Sequence, residues 1–216
     1  MNIKEYEDKY WSTFDQILVY RHKAAIDMIK NGKILDIGCG DGMLLKILAD
    51  KKMLVEGLDH SQEAINKARA KGLNVKKFDF VNNLLPYDDN EFDYVVILDV
   101  LEHLYSPEVL LNEAKRVTKK YVIISVPNFN SLSARLQTMT GRVPENNTSR
   151  KGHIYWFNYR ILKKMVESCN LEIIKIKGSY FYQNKKIISS VMEFFGKVFP
   201  SVFALSFVIM VKKKNS

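Results

Sequence analysis

The residues best equipped for chemistry begin in one short run, Ile34-Leu35-Asp36-Ile37-Gly38-Cys39-Gly40-Asp41-Gly42. Glycines between an apolar strand and a helix let the backbone approach a ligand closely. Asp59 follows 21 positions after Gly38, where a carboxylate can accept hydrogen bonds from a ribose diol. The dinucleotide fingerprint G-x-G-x-x-G asks for a glycine where this chain has Met43, and the third glycine arrives one residue early. A pyrophosphate also prefers bare backbone N–H groups, with no acid nearby. Asp36 and Asp41 would repel phosphate and suit a ligand carrying an ammonium and a sulfonium. S-adenosylmethionine (SAM) has both, and no phosphate. The alternative is a tight turn whose glycines serve geometry alone.

Two histidines follow. Methyl transfer from a sulfonium is a displacement on an activated carbon, so alignment supplies much of the rate. An oxygen or nitrogen acceptor can also need a base. Glu102-His103 comes just after the apolar run Tyr94–Leu98, and an imidazole with an ordinary pKa of about 6.5 suits that task. The alternative for His103 is a local structural role. Adjacent glutamate and histidine do not make a metal site, and no metal is expected. His153 lies in Lys151-Gly152-His153-Ile154-Tyr155-Trp156-Phe157, an aromatic run that can close over a substrate or simply pack onto the core.

These residues need a frame. Apolar runs at Lys33–Ile37, Leu54–Leu58, Val75–Phe78, Tyr94–Leu98 and Tyr121–Val126 read as strands, with Glu172–Lys177 and Ala204–Val211 closing the series. Helix-period segments separate them: Met43–Ala49, a helix capped by Ser61, one opened by Ser106-Pro107-Glu108, and one capped by Asn158. The alternation predicts a doubly wound α/β fold. Its sheet is seven-stranded, mostly parallel and Rossmann-like, with helices on both faces. Continuous apolar strands agree with a sheet covered on both sides. Residues 1–30 look helical, and 128–157 form a long polar connection of the kind that usually carries function. The whole, 1–216, is expected to be one domain with that N-terminal segment and that substrate-side insertion.

Composition narrows the class. The 216 residues are 47% hydrophobic and 26% charged, as in globular proteins. Two cysteines, Cys39 and Cys169, make no disulfide framework and point to a reducing, cytoplasmic setting. The opening MNIKEYEDKYW has no apolar core and is not a signal peptide. The net charge of +9 lies in scattered lysine pairs. That permits a nucleic-acid partner but favours a solvated surface. Val198–Val211 is too short for a spanning helix and is broken by Pro200, so no transmembrane segment is expected. Lys185–Phe199 has apolar residues at helical spacing beside lysines, which leaves peripheral membrane contact, a substrate lid or simple packing open.

ILDIGCGDG, EGLDHS and FDYVVILDVLEHL together resemble the class I SAM-dependent methyltransferases. They are most similar to the type 11 branch, which includes ubiquinone- and menaquinone-biosynthesis enzymes. The resemblance covers residues 33–127 well and the flanks in outline. It implies that Asp36, Gly38 and Gly40 face the methionine part of SAM. Asp59 would hold the ribose, with His60 beside the adenine. Asp79 would reach the adenine amino group with Phe80 packed nearby, and Asp99 and Val100 would line the sulfonium end. In similar enzymes the position of His103 is on the substrate side, and an N-terminal segment, here with Tyr6, Tyr10, Trp11 and Arg21, covers the cofactor. The expected activity is O-methylation of a small-molecule acceptor, with S-adenosylhomocysteine as the second product. An RNA or protein methyltransferase remains open, although the chain lacks the Asn/Asp-Pro-Pro-Tyr/Phe signature of many amino-methylating nucleic-acid enzymes. So does a SAM-binding protein without turnover. A nicotinamide oxidoreductase is disfavoured by the glycine spacing and the loop acids.

Overall fold

The computed structural model describes residues 11, 16–79, 84–144, 152–179 and 199–214. Seven strands form one sheet: β1 (Lys33–Ile37), β2 (Leu54–Asp59), β3 (Val75–Lys77), β4 (Phe92–Leu98), β5 (Thr118–Pro127), β6 (Leu171–Ser179) and β7 (Ser206–Lys213). Their spatial order is β3-β2-β1-β4-β5-β7-β6. Strands β1 to β5 pair in parallel, whereas β7 runs antiparallel to both β5 and β6. The helices are α1 (Tyr20–Met28), α2 (Met43–Asp50), α3 (Gln62–Ala70), α4 (Pro107–Val117), α5 (Leu132–Met139), α6 (Tyr159–Ser168) and the single turn α7 (Pro200–Phe203).

Side-chain parity along the strands sorts the core into two layers. Leu35, Ile37, Val95, Ile97, Val122 and Ile124 share one face with Leu110, Leu111 and Ala114 of α4 and Leu162 and Val166 of α6. Ile34, Tyr94, Val96 and Ile123 point the other way, onto Ala24, Ala25 and Met28 of α1 and Leu44 and Leu48 of α2. Both faces are therefore dry, which is why the strand sequences do not alternate with polar residues.

Several boundaries shift for physical reasons. Ser61 and Asn158 cap α3 and α6 as expected, each accepting from a backbone N–H three residues on. Ser106 precedes α4 but makes no side-chain cap bond, and Pro107 in the first turn opens that helix instead. The 128–157 connection holds a helix, α5, opened by Ser131, whose hydroxyl accepts from Ala134 N. Val198–Val211 divides at Pro200, whose short helix precedes β7. Tyr6, Tyr10, Phe80 and most of the Lys185–Phe199 segment lie outside the described residues. Among the described residues no helix is long and apolar enough to cross a membrane.

β1 sits between β2 and β4, so chain connections leave it in opposite directions. In open α/β sheets, ligands bind at the strand ends beside such a switch point. The loops after β1 and β4 begin there.

Candidate active site

The loop after β1 is built to fold back over β2. Gly38 N and Cys39 N both donate to the Leu58 carbonyl, at 2.8 and 3.1 Å. Gly38 has φ +73°, and a Cβ there would stand 2.4 Å from Val100 Cγ2. Only glycine lets the loop after β1 touch the loop after β4. Gly40 N donates to Asp59 Oδ2 at 2.8 Å, and Ser61 N donates to Asp59 Oδ1 at 2.9 Å. Asp59 thus ties the glycine loop to the end of β2. Burial raises its pKa, while those two N–H donors and His60 act in the opposite direction. His60 lies beside it, with Nδ1 3.8 Å from Asp59 Oδ1.

Asp36 shares the α1/α2 face with Ile34 and is 3% exposed. Burial, then the charge of Asp59, pushes its carboxyl well above the ordinary range. A ligand ammonium would supply the missing positive charge, so the acid fits the amino-acid end of SAM. With Gln16, Arg21, His22, Gly38, Cys39, Leu44 and Leu98, Asp36 lines a cavity of about 20 Å³. That is room for about one water, because the segment leading into α1 closes over it. Arg21 Nε lies 3.2 Å from Asp99 Oδ2, and Gln16 N donates to Asp41 Oδ2 at 3.1 Å. Trp11 and Gln16 lie directly over Gly40, where a Cβ would meet them within 2.7 Å.

Asp41 turns out differently from Asp36. It is fully buried, and Lys71 Nζ lies 2.8 Å from its Oδ2. Its charge is answered inside the protein, so the negative character of the loop towards a ligand rests on Asp36 and Asp59. Asp79 follows β3 on an exposed position, held near the end of β2 by the Phe78 N to Asp59 carbonyl bond at 2.9 Å. Asp99 adopts φ +54° after β4. Its carboxylate accepts from Ser125 Oγ and faces Arg21.

A single 3₁₀ turn, Leu101–His103, carries the next groups. Glu102 is 1% exposed, and burial followed by the charge of Asp99 raises its pKa well above normal. Its carbonyl accepts from Ile154 N and Tyr155 N, at 2.9 and 3.0 Å. His103 Nδ1 lies 3.3 Å from the Gly152 carbonyl oxygen. The rings of His103 and His153 are 4.8 Å apart, edge to face. His103 keeps an exposed face, but the protein packed around the rest of the ring, then the neighbouring His153, lowers its pKa. The two histidines, alternatives in the sequence, share one site. Phe129 joins them, edge to face with His153 at 5.4 Å and stacked on Trp156 at 6.1 Å. Nothing in the sequence singled out Phe129, Ser125 or the Gly152 carbonyl. Their roles come from contacts between β5, the turn after β4 and the distant 152–157 segment.

Comparison with known proteins agrees with this architecture. The profile of the family described as methionine biosynthesis protein MetW matches residues 20–204. The chain is 31% identical over 134 residues to the bifunctional methionine biosynthesis protein MetXA/MetW of Rhodopirellula baltica. That match covers 57% of this chain and only 21% of the relative. It is 28% identical over 166 residues to a ubiquinone biosynthesis O-methyltransferase of Coxiella burnetii, covering 73% of this chain and 70% of that one. Among solved structures, magnesium protoporphyrin IX methyltransferase from Synechocystis with bound S-adenosylhomocysteine superposes with TM-score 0.67 at 16% identity, covering 99% and 96% of the two chains. A SAM-dependent methyltransferase from Archaeoglobus fulgidus gives 0.67 at 23% identity, covering 89% and 91%. The glycine loop at the β1/β4 switch point is thus found in a chain that belongs to the MetW family, within the class I SAM-dependent methyltransferase fold.

Proposed function

We propose that this chain transfers the methyl group of SAM to an oxygen of a small-molecule acceptor, acting as one methyltransferase domain in the cytoplasm. The observation that carries the reading is the meeting of Gly38 with Val100 at the switch point. It joins the end of β1, which carries the buried Asp36, to the turn that carries His103, three residues after Val100. When bound, SAM supplies an activated methyl carbon. Asp36 holds the ammonium, and the Gly38–Gly40 backbone lies along the methionine part. Asp59 accepts from the ribose hydroxyls. His60 and Asp79 would lie beside the adenine, and Asp99 and Val100 would border the sulfonium. His103 takes the proton of the acceptor hydroxyl as the methyl arrives. The 128–157 connection forms the acceptor side, and Trp156, 54% exposed, gives it an apolar surface. Ubiquinone O-methyltransferase relatives support an oxygen acceptor.

A second reading has one specific support. In the Rhodopirellula relative the matching region is about a fifth of a bifunctional chain. This fits a SAM-binding module that serves a partner enzyme without turnover of its own. Calorimetry with SAM, S-adenosylhomocysteine and NADH tests the cofactor: micromolar binding of the first two and none of NADH is expected. Tight NADH binding without SAM binding would overturn both readings. Labelled SAM in a metabolite extract then separates them, because a methylated product appears only if the chain turns over.

A further inference from the structure

His103 lies next to a segment that follows it by 49 positions, and the contact has a direction. The Gly152 oxygen is a carbonyl and can only accept, so a hydrogen bond to it requires the proton on Nδ1. In a neutral imidazole the other nitrogen is then the acceptor. The carbonyl is itself held in place. Ile154 N and Tyr155 N, the next donors along the segment, both bond the Glu102 carbonyl, one residue before His103. At the far end Phe129 N donates to the Phe157 carbonyl at 2.9 Å, and the Phe157 side chain is fully buried. His153 sits between these anchors, with its ring against both His103 and Phe129 and its Nε2 3.9 Å from Glu102 Oε1.

We propose that residues 152–157 are the positioning element of the base: the Gly152 carbonyl fixes His103 as its Nδ1–H tautomer, leaving Nε2 as the atom that receives the acceptor proton. The identity of His103 as base comes from the functional reading above; the tautomer does not depend on it. The charged and titratable groups around the ring are His153, Asp99, His60 and, beside it in the turn, Glu102. The surrounding protein and His153 favour the neutral ring, whereas the Gly152 bond and Asp99 favour the charged one. The first pair dominates, so at neutral pH the ring has a single proton to place. Burial, then the charge of Asp99, raises the pKa of Glu102, which weakens its pull on that proton. The base is therefore assembled from two distant stretches of chain, and it is ready only when the 152–157 segment is docked on the turn after β4.

Heteronuclear NMR of the imidazole nitrogens above neutral pH tests this, with His103 assigned by its loss in His103→Gln. The expected wild-type pattern is a pyrrole-type Nδ1 and a pyridine-type Nε2. Ile154→Pro removes one of the two N–H groups that hold the segment to Glu102. It should erase the pyrrole-type Nδ1 signal of His103 while SAM binding persists; Ile154→Val should restore it. A pyridine-type Nδ1 in the wild type would overturn the proposal without any variant, even if Ile154→Pro fails to fold. So would an unchanged pattern in a folded Ile154→Pro protein. Equimolar Zn²⁺ is the third arm, because Glu102, His103 and His153 offer ligand atoms within 4.8 Å of one another. Stoichiometric binding that shifts both histidines would make the cluster a metal site instead. If the tautomer is found but His103→Ala leaves turnover unchanged, the base reading falls and the positioning geometry stands.

Discussion

Asp59 accepts from Gly40 N and Ser61 N. In the proposed SAM complex the same carboxylate also accepts from the ribose hydroxyls. Asp59→Ala removes the ligand contact and leaves two backbone donors unanswered. Losing hydrogen bonds to a charged group costs about 1–3 kcal/mol. SAM affinity should fall by that amount in calorimetry, and the melting temperature should fall with it. Unchanged affinity in the folded variant would remove Asp59 from the ribose site. His103 is expected to act on rate and not on affinity. Loss of a general base typically lowers turnover about 10²–10⁴-fold. His103→Ala should do so with SAM binding intact, once an acceptor is identified. Because the surrounding protein and His153 lower the pKa of His103, the base form persists to lower pH than in a free imidazole. The wild-type rate should fall on acidification with its midpoint below pH ~6.5. A rate that falls already above that pH would contradict the environment described for the ring.

At the scale of elements, the site depends on two loops being pressed together. Gly38 combines a left-handed backbone with the tightest contact across the switch point, 2.4 Å from its missing Cβ to Val100. Gly72, after α3, has a similar φ of +78° but open space around it. The pair separates backbone strain from packing. Gly72→Ala should cost about 1–2 kcal/mol, the left-handed penalty alone. Gly38→Ala should cost more, because Val100 must also move, and it alone should weaken SAM binding. Chemical denaturation and calorimetry on both variants provide the check; equal losses would mean that the Val100 contact yields easily. The same pressing together explains why α1 matters to the site. Its His22 and Arg21 reach the cavity under Asp36, and Arg21 extends on to Asp99.

At the scale of the whole molecule, α1 also links folding to pH. His22 is 3% exposed, and its Nδ1 accepts from Val19 N. Burial, followed by the adjacent Arg21, lowers its pKa to about 4. Between pH ~6.5 and that value the unfolded chain takes up a proton that the folded chain refuses. Stability is therefore present at neutral pH and declines as the pH falls through this window. The loss from this one residue should be about 3 kcal/mol by the time the pH reaches 4. Urea unfolding of wild type and His22→Gln, near neutrality and near pH ~4.5, measures it. Glutamine can keep an acceptor for Val19 N without the titration. The variant should lose less stability on acidification, and parallel losses would show that His22 carries no such linkage. The net charge of +9 has a different bearing. Many of its lysines are engaged locally, as with Lys177 and Asp27 at 2.8 Å, Lys212 and Glu172 at 2.9 Å, and Lys120 and Asp93 at 2.8 Å.

The order of strands and helices, and the glycine loop with Asp59 at its spacing, were legible in the sequence because they depend on local rules. A buried parallel strand must be apolar throughout, a backbone that approaches a ligand needs glycine, and a helix start needs a cap. Three features were not legible, each for a physical reason. The helix α5 was hidden because it buries only Ala134, so no amphipathic stripe marks it. The opposite fates of Asp36 and Asp41 were hidden because pairing depends on Lys71, 30 residues away and brought near only by the folding of α3. His103 and His153 looked like rivals because linear distance says nothing about two loops docking on one another. The tertiary structure joins them through backbone bonds to Glu102, a kind of contact that leaves no trace in side-chain pattern.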